Sequence, residues 1–182
     1  MSLLKLKQTR DLEISMTALT IGSSVLQIGG GDSGLIAALA ATAGLSGHAC
    51  ALVETAEAAE AFAKVAAAAG VLVEVAVGSV RVFPYDPDRF DVVVVKDAIG
   101  NMRAYDRVLC LQQAFRVLRG GGRCLVIEQT GRAGLGALFS RRAFDSEYLD
   151  SGGATVALEA ESFRGVRRLA ERDGVSFYEG TK

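Results

Sequence analysis

Gly29, Gly31 and Gly34 stand in a G-x-G-x-x-G spacing within VLQIGGGDSG, residues 25–34, after an apolar run and before an Ala- and Leu-rich one. Glycine lets the chain turn tightly and bring its backbone close to a ligand, and the exposed N–H groups at a helix start favour an anion. Glu54 follows the next apolar run, 20 residues after Gly34. A carboxylate there is placed to accept both hydroxyls of a ribose. Together these residues predict a nucleoside-containing cofactor. The competing reading has Glu54 simply opening the next helix, where an acid suits the dipole.

A second group of residues could act on a bound acceptor. Asp97 ends the run FDVVVVKD, in a loop after a strand, and is a candidate general base. Its alternative is a solvated loop or cap aspartate, and Lys96 beside it reads as a surface residue. Arg132, Arg141, Arg142 and Tyr148 fall in a Gly-, Ser- and Arg-rich stretch, residues 129–153, that reads as a lid. They could clamp an acidic acceptor, against the alternative of a solvated arginine-rich loop. His48, the sole histidine, stands at the start of a strand and so belongs on the edge away from a ligand. Cys50, Cys110 and Cys124 are odd in number, far apart and among apolar neighbours. They show no metal-ligand spacing and read as reduced core thiols, so no metal site is expected.

These residues need a frame, and short β-branched runs alternating with Ala-rich segments supply it. Strands are expected at 24–28, 48–53, 71–77, 90–95 and 123–128. Helices are expected at 33–43, 56–69 and 105–118, the last ended by Gly120, Gly121 and Gly122. The nearly all-apolar FDVVVV suits a strand buried on both faces of a parallel sheet. Residues 154–161 fit a helix, and 166–170 with 175–179, split by Asp173-Gly174, fit a hairpin. Residues 1–20 predict a helix covering the sheet. The expected fold is α/β, a doubly wound, mostly parallel seven-stranded sheet with an antiparallel last strand beside the fifth. Ligands of such sheets bind beyond the carboxyl ends of the strands, where strand order reverses. The loops at 29–34, 54–55, 78–85, 96–101 and 129–150 lie on that edge.

The 182 residues predict one domain, 1–182, at ~150 residues per domain. A net charge of −1, mildly acidic in the first half and basic in the second, argues against a nucleic-acid partner. No apolar run approaches the ~20 residues of a membrane span. The opening MSLLKLKQTR has no apolar core after its charges, which predicts no secretory leader, and the three reduced cysteines predict a cytoplasmic protein. A compact domain with an arginine-rich lid is compatible with a homodimer.

Residues 25–128 resemble a class I S-adenosylmethionine-dependent methyltransferase. The resemblance rests on order: the first-strand glycine loop, Glu54 after strand two, Gly78-Ser79 after strand three, FPYDPDRFDVVVVKD (83–97) and FRVLRGGGRCLVIE (115–128). The terminal hairpin fits the family's antiparallel last strand, and the similarity extends over most of the chain from about residue 20. It departs from the family at Gln27, where an acid is usual, at Ser33 in the glycine loop, at Ser79, and at Gly120 in place of a proline. The resemblance implies methyl transfer from S-adenosylmethionine to a small-molecule acceptor. It implies cofactor contacts from Gln27, Gly29, Gly30, Gly31, Gly34, Glu54, Thr55, Ser79, Val80, Asp97 and Ala98. The methionine carboxylate is then expected at the start of the 33–43 helix and the adenine near Ser79 and Val80. Two further readings stay open: a non-catalytic binding protein that kept this fold with a degenerate site, and a nicotinamide dinucleotide-binding protein, whose fingerprint the three glycines also satisfy.

Overall fold

A computed structural model describes residues 3–29, 31–129 and 145–182. Seven strands form one sheet: β1 (Ser24–Ile28), β2 (His48–Val53), β3 (Glu74–Val77), β4 (Phe90–Lys96), β5 (Leu118–Gln129), β6 (Arg164–Arg172) and β7 (Val175–Thr181). Their order is β3-β2-β1-β4-β5-β7-β6. β1 to β5 pair in parallel, while β7 pairs antiparallel with both β5 and β6. The sheet therefore has the expected seven strands, with the last one inserted antiparallel beside β5. Strand order reverses between β1 and β4, which places a crevice beyond their carboxyl ends.

Side chains alternate between the two faces, as the two-residue strand period requires. Val25, Ala51, Val92, Val94, Leu125 and Phe177 pack on one face with α2 (Ser33–Ala43) and α3 (Ala56–Ala68). Leu26, Ile28, Leu52, Val93, Val95 and Val126 pack on the other with α4 (Ala104–Val117) and α6 (Gly153–Ala160). Both faces are covered, so the central strands read as unbroken apolar runs. All three cysteines are buried and unpaired in this core, and burial pushes the Cys50 and Cys110 thiols up to about 12. Among the described residues no helix is long and apolar enough to cross a membrane.

Two segments differ from the sequence expectation. The strand predicted at 71–77 starts only at Glu74, because Val71 N–H bonds back to Ala66 O and Gly70, at φ +67°, closes the end of α3. Gly120, Gly121 and Gly122 do not end a helix. Leu118 is already extended, and the glycines lie inside β5, where the register jumps from Phe90–Leu118 to Val92–Arg123. A Cβ on Gly122 would meet Arg119 O at 2.9 Å and Asp91 O at 3.1 Å, so the glycine is needed for the bulge and not for a cap.

The N-terminal helix is α1 (Leu3–Thr17), and it does cover the sheet, packing Leu12, Ile14 and Met16 against the α2–α3 face. Of its last carbonyls, Ile14 O accepts from the Thr17 hydroxyl and Ser15 O from Ala18 N–H, while the final one, Thr17 O, is taken up by β5. Arg123 Nη1 donates to Thr17 O at 3.1 Å, and its Nε donates to the buried Glu179 at 3.0 Å. Arg123→Met removes both, and the expected loss is about 1–3 kcal/mol of unfolding free energy. Urea titration of the two proteins checks this, and an unchanged midpoint would show that solvent replaces the clasp.

Candidate functional site

The crevice at the β1–β4 switch is a cleft of about 420 Å³. That is within the ~300–1,000 Å³ range of small-molecule sites. Its wall is built from the ends of four parallel strands: Gly29 and Gly31 after β1, Glu54 and Thr55 after β2, Gly78 and Val80 after β3, and Asp97 and Ala98 after β4. Leu52, Val53, Ala58 and Met102 add apolar surface, and Asn101 adds an amide.

The glycine loop owes its course to missing side chains. Gly29 sits at φ +92°, and a Cβ there would come within 2.6 Å of Lys96 O and 2.7 Å of the Ala98 Cβ. The loops after β1 and β4 therefore touch only because residue 29 is glycine. Gly31, at φ +82°, faces open space. Asp32 then caps α2, its Oδ1 accepting from Leu35 N–H at 3.1 Å.

Glu54 is exposed in the cleft wall. The helix-starting work that it was weighed against falls to its neighbours. Thr55 is the N-cap of α3, its Oγ1 accepting from Ala58 N–H at 3.2 Å, and Glu57 is the acid of the first turn. A carboxylate released from capping and facing a cleft suits a pair of ligand hydroxyls.

Asp97 lies at φ +48°, a conformation uncommon for a non-glycine residue. Its N–H donates to Ile127 O and its Oδ1 accepts from Gln129 N–H, both at 2.8 Å. One carboxylate oxygen thus ties the ends of β4 and β5 together while the residue lines the cleft.

Several expected site residues lie elsewhere. Gln27 is buried behind the loop and donates from Nε2 to Asp32 O at 3.0 Å, so it supports the glycine loop without lining the cleft. Gly34 lies within the first turn of α2 and faces Arg10 and Asp32. Ser79 does not line the cleft either, since its Oγ accepts from Arg81 N–H at 3.1 Å within a tight turn. The two positions that lack the family's usual acids are therefore not part of the wall. Lys96 is no surface residue: it is buried and paired with Glu13 and Asp32. His48 is exposed at the start of β2, on the far edge as expected. Gly30, Arg132, Arg141 and Arg142, with residues 130–144 of the expected lid, lie outside the described residues.

The described end of the lid stretch forms α5 (Ser146–Asp150), and Tyr148 there is buried, so it clamps no acceptor. Its hydroxyl donates to the buried Glu128 at 2.8 Å, and the Arg107 guanidinium lies 4.2 Å from its ring centre. Arg107 also donates to Ile99 O and Met102 O, both at 2.9 Å, and so pins the 3₁₀ turn (Ile99–Asn101) that carries Asn101 into the cleft wall. Sequence reading missed this clasp, because nothing in the spacing of residues 107, 128 and 148 marks them as neighbours.

Burial pushes the Glu128 carboxyl up to about 7, helped by Asp97, against the pull of the Tyr148 hydroxyl and Arg107. A carboxyl whose pKa is raised on folding binds more protons folded than unfolded between the two values. Its stabilising effect is full below about 4.3, the unfolded value, and is lost as pH rises through about 7. Glu128→Gln is therefore expected to flatten the fall in stability between pH 5 and pH 8. Urea unfolding at several pH values reads this, and parallel curves for the two proteins would show that Glu128 does not titrate there.

Among the described residues no group of three or more His, Cys, Asp or Glu side chains is arranged to hold a metal ion. The model of the ubiE/COQ5 methyltransferase family matches residues 1–172 of the chain. No curated protein matches the sequence. Solved structures do. An S-adenosylmethionine-dependent methyltransferase from Aquifex aeolicus is similar at a TM-score of 0.76 and 17% identity, over 94% of this chain and 88% of that one. The YcgJ protein from Bacillus subtilis is similar at 0.72 and 14%, over 97% and 98%. An S-adenosylmethionine-dependent methyltransferase from Methanosarcina mazei is similar at 0.64 and 18%, over 88% and 92%. At these identities the structures speak for the fold, and the family match carries the chemistry.

Proposed function

The chain belongs to the ubiE/COQ5 methyltransferase family, an S-adenosylmethionine-dependent family of the class I fold, and from that premise we propose that it methylates a small-molecule acceptor in the cleft at the β1–β4 switch. The observation that carries the placement is Glu54, exposed in the wall and relieved of helix capping by Thr55. Bound there, S-adenosylmethionine supplies a methyl group on a sulfonium, a leaving group that needs no further activation.

The chain's own residues have simple tasks. Glu54 accepts the ribose hydroxyls. Leu52, Val53, Val80 and Ala58 offer an apolar wall to the adenine. Gly29 and Gly31 bring backbone close to the ligand, and the amino-acid end faces the start of α2. Asp97, Ala98, Asn101 and Met102 form the side on which the acceptor meets the methyl group. Alignment of nucleophile and methyl is then the main catalytic work. Asp97 is the base we assign when the acceptor nucleophile carries a proton, through the oxygen that Gln129 does not use. In this reading residues 1–182 act as one domain.

Thermal unfolding with S-adenosylmethionine, S-adenosylhomocysteine and NAD tests the assignment. At 100 times its Kd a ligand adds about 2.7 kcal/mol to folded stability. We expect that shift with the first two and none with NAD. A shift with NAD alone would return the chain to the dinucleotide-binding reading. No shift with any of them at millimolar concentration would favour a site that has lost its cofactor.

A further inference from the structure

Asp32, the last residue of the glycine loop, belongs to a closed ring of four alternating charges. Arg10 Nη1 donates to Glu13 Oε2 at 2.8 Å, and Arg10 Nη2 donates to Asp32 Oδ1 at 2.6 Å. Lys96 Nζ closes the ring from the other side, donating to Glu13 Oε1 and to Asp32 Oδ2. Two cations and two anions make it neutral. Its members come from three distant stretches: α1, the glycine loop and the last residue of β4. The side chains of Glu13 and Lys96 are only 4% and 8% exposed.

Buried ion pairs are poor sources of net stability, because desolvation cancels most of their attraction. They do fix geometry, since removing one member strands another in a poor solvent. Docking of α1 does not call for such a ring. Leu12, Ile14 and Met16 already pack it on the sheet, and Arg123 holds its last turn. The ring converges instead on Asp32, whose Oδ1 also caps α2 and whose carbonyl accepts from Gln27. Burial raises the Asp32 carboxyl, but hydrogen bonds from Arg10 and Lys96 outweigh it and hold the group ionised below its ordinary range. Immediately before it, Gly29 and Gly31 take positive φ and line the cleft. Glycine backbone is free to adopt many conformations, so a loop built on it needs an outside anchor to keep one.

We propose that the Arg10–Glu13–Lys96–Asp32 ring is the anchor that holds the glycine loop in its cofactor-binding shape, with Lys96 and Glu13 as positioning residues and α1 as part of the binding machinery. This rests on the cleft being the S-adenosylmethionine site. It makes cofactor affinity depend on a helix that does not itself line the cleft.

The experiment compares wild type, Lys96→Met, Glu13→Gln, Lys96→Arg and Glu54→Ala by calorimetric titration with S-adenosylmethionine, by urea unfolding, and by amide hydrogen exchange over residues 31–35. A ligand's apparent Kd rises as the binding-competent fraction of the protein falls. If ring loss leaves about one molecule in ten with the loop in place, Lys96→Met and Glu13→Gln each bind about tenfold more weakly. Exchange over 31–35 then speeds up, and Lys96→Arg, which keeps the charge, recovers much of the affinity. Variants that lose stability but bind as wild type does would overturn the proposal. If Lys96→Met does not fold, Glu13→Gln decides alone: weaker binding supports the ring, unchanged binding overturns it. Loss of affinity in Glu54→Ala with none in the ring variants overturns the ring and keeps the functional assignment. A wild type that binds no S-adenosylmethionine overturns both.

Discussion

Glu54→Ala is expected to weaken S-adenosylmethionine binding by about 10- to 150-fold while leaving the unfolding free energy nearly unchanged. Hydrogen bonds to a charged acceptor are worth roughly 1.5–3 kcal/mol, which converts to that range of Kd. The small effect on stability follows from position. Glu54 is exposed, and the first turn of α3 is served by Thr55 and Glu57. Calorimetric titration and urea unfolding on the same preparation separate the two quantities. Glu54→Gln should fall between, since it keeps an acceptor and loses the charge. The reverse pattern, with stability lower by about 0.3–1 kcal/mol and affinity intact, would make Glu54 a helix-dipole residue. The assignment of the β2 end to the ribose would then be withdrawn.

The largest loss of stability is expected at the glycine loop, and it is expected to be unequal within it. Gly29→Ala places a Cβ 2.6 Å from Lys96 O and 2.7 Å from the Ala98 Cβ, at φ +92°. The first contact is with backbone, which cannot swing aside as a long side chain would. Strain at such a φ costs of order 1–3 kcal/mol, and forcing an extra carbon into a packed site costs a further 1–3 kcal/mol. Gly31→Ala carries the φ strain, at +82°, but meets nothing within 4 Å. The prediction is a loss of about 2–6 kcal/mol at residue 29 against about 1–3 kcal/mol at residue 31. Urea unfolding of the two variants measures it. Equal losses would mean that the β1 and β4 loops separate freely, and that their contact does not shape the cleft.

The same loop shows how the sequence and the tertiary structure divide the information. β1, α2 and β2 lie where their sequence patterns put them, because each is set by local forces. Apolar runs, a capping Asp32 and a stop at Gly44 act within a few residues of the element they define. The edge of the sheet that carries the cleft was legible for a similar reason. Once strands alternate with helices, handedness and topology leave a single edge for the loops after the strands. Glu54, read from its place after the second strand, lines the cleft, and so do Thr55, Val80, Asp97 and Ala98, which the family resemblance implied.

Chemistry that depends on partners distant in sequence was not legible. Lys96 carries a charge at the end of an apolar strand, and by itself that describes a surface residue. Its burial is decided by Glu13 and Asp32, 83 and 64 positions away. Tyr148 lies in a Gly-, Ser- and Arg-rich stretch and read as part of a lid that could clamp an acceptor. Glu128, 20 positions earlier, and Arg107 turn it into a buried prop beneath the 3₁₀ turn that brings Asn101 to the cleft wall. The glycines at 120–122 invited the reading of a helix stop, since a glycine run looks the same whether it ends a helix or lets two backbones approach. Proximity to Asp91 O settled which. Periodicity and end signals encode an element and its exposed face. Where a charge goes, and whether it is solvated or paired, depends on which other element arrives beside it, and only the assembled sheet with α1 laid across it decides that.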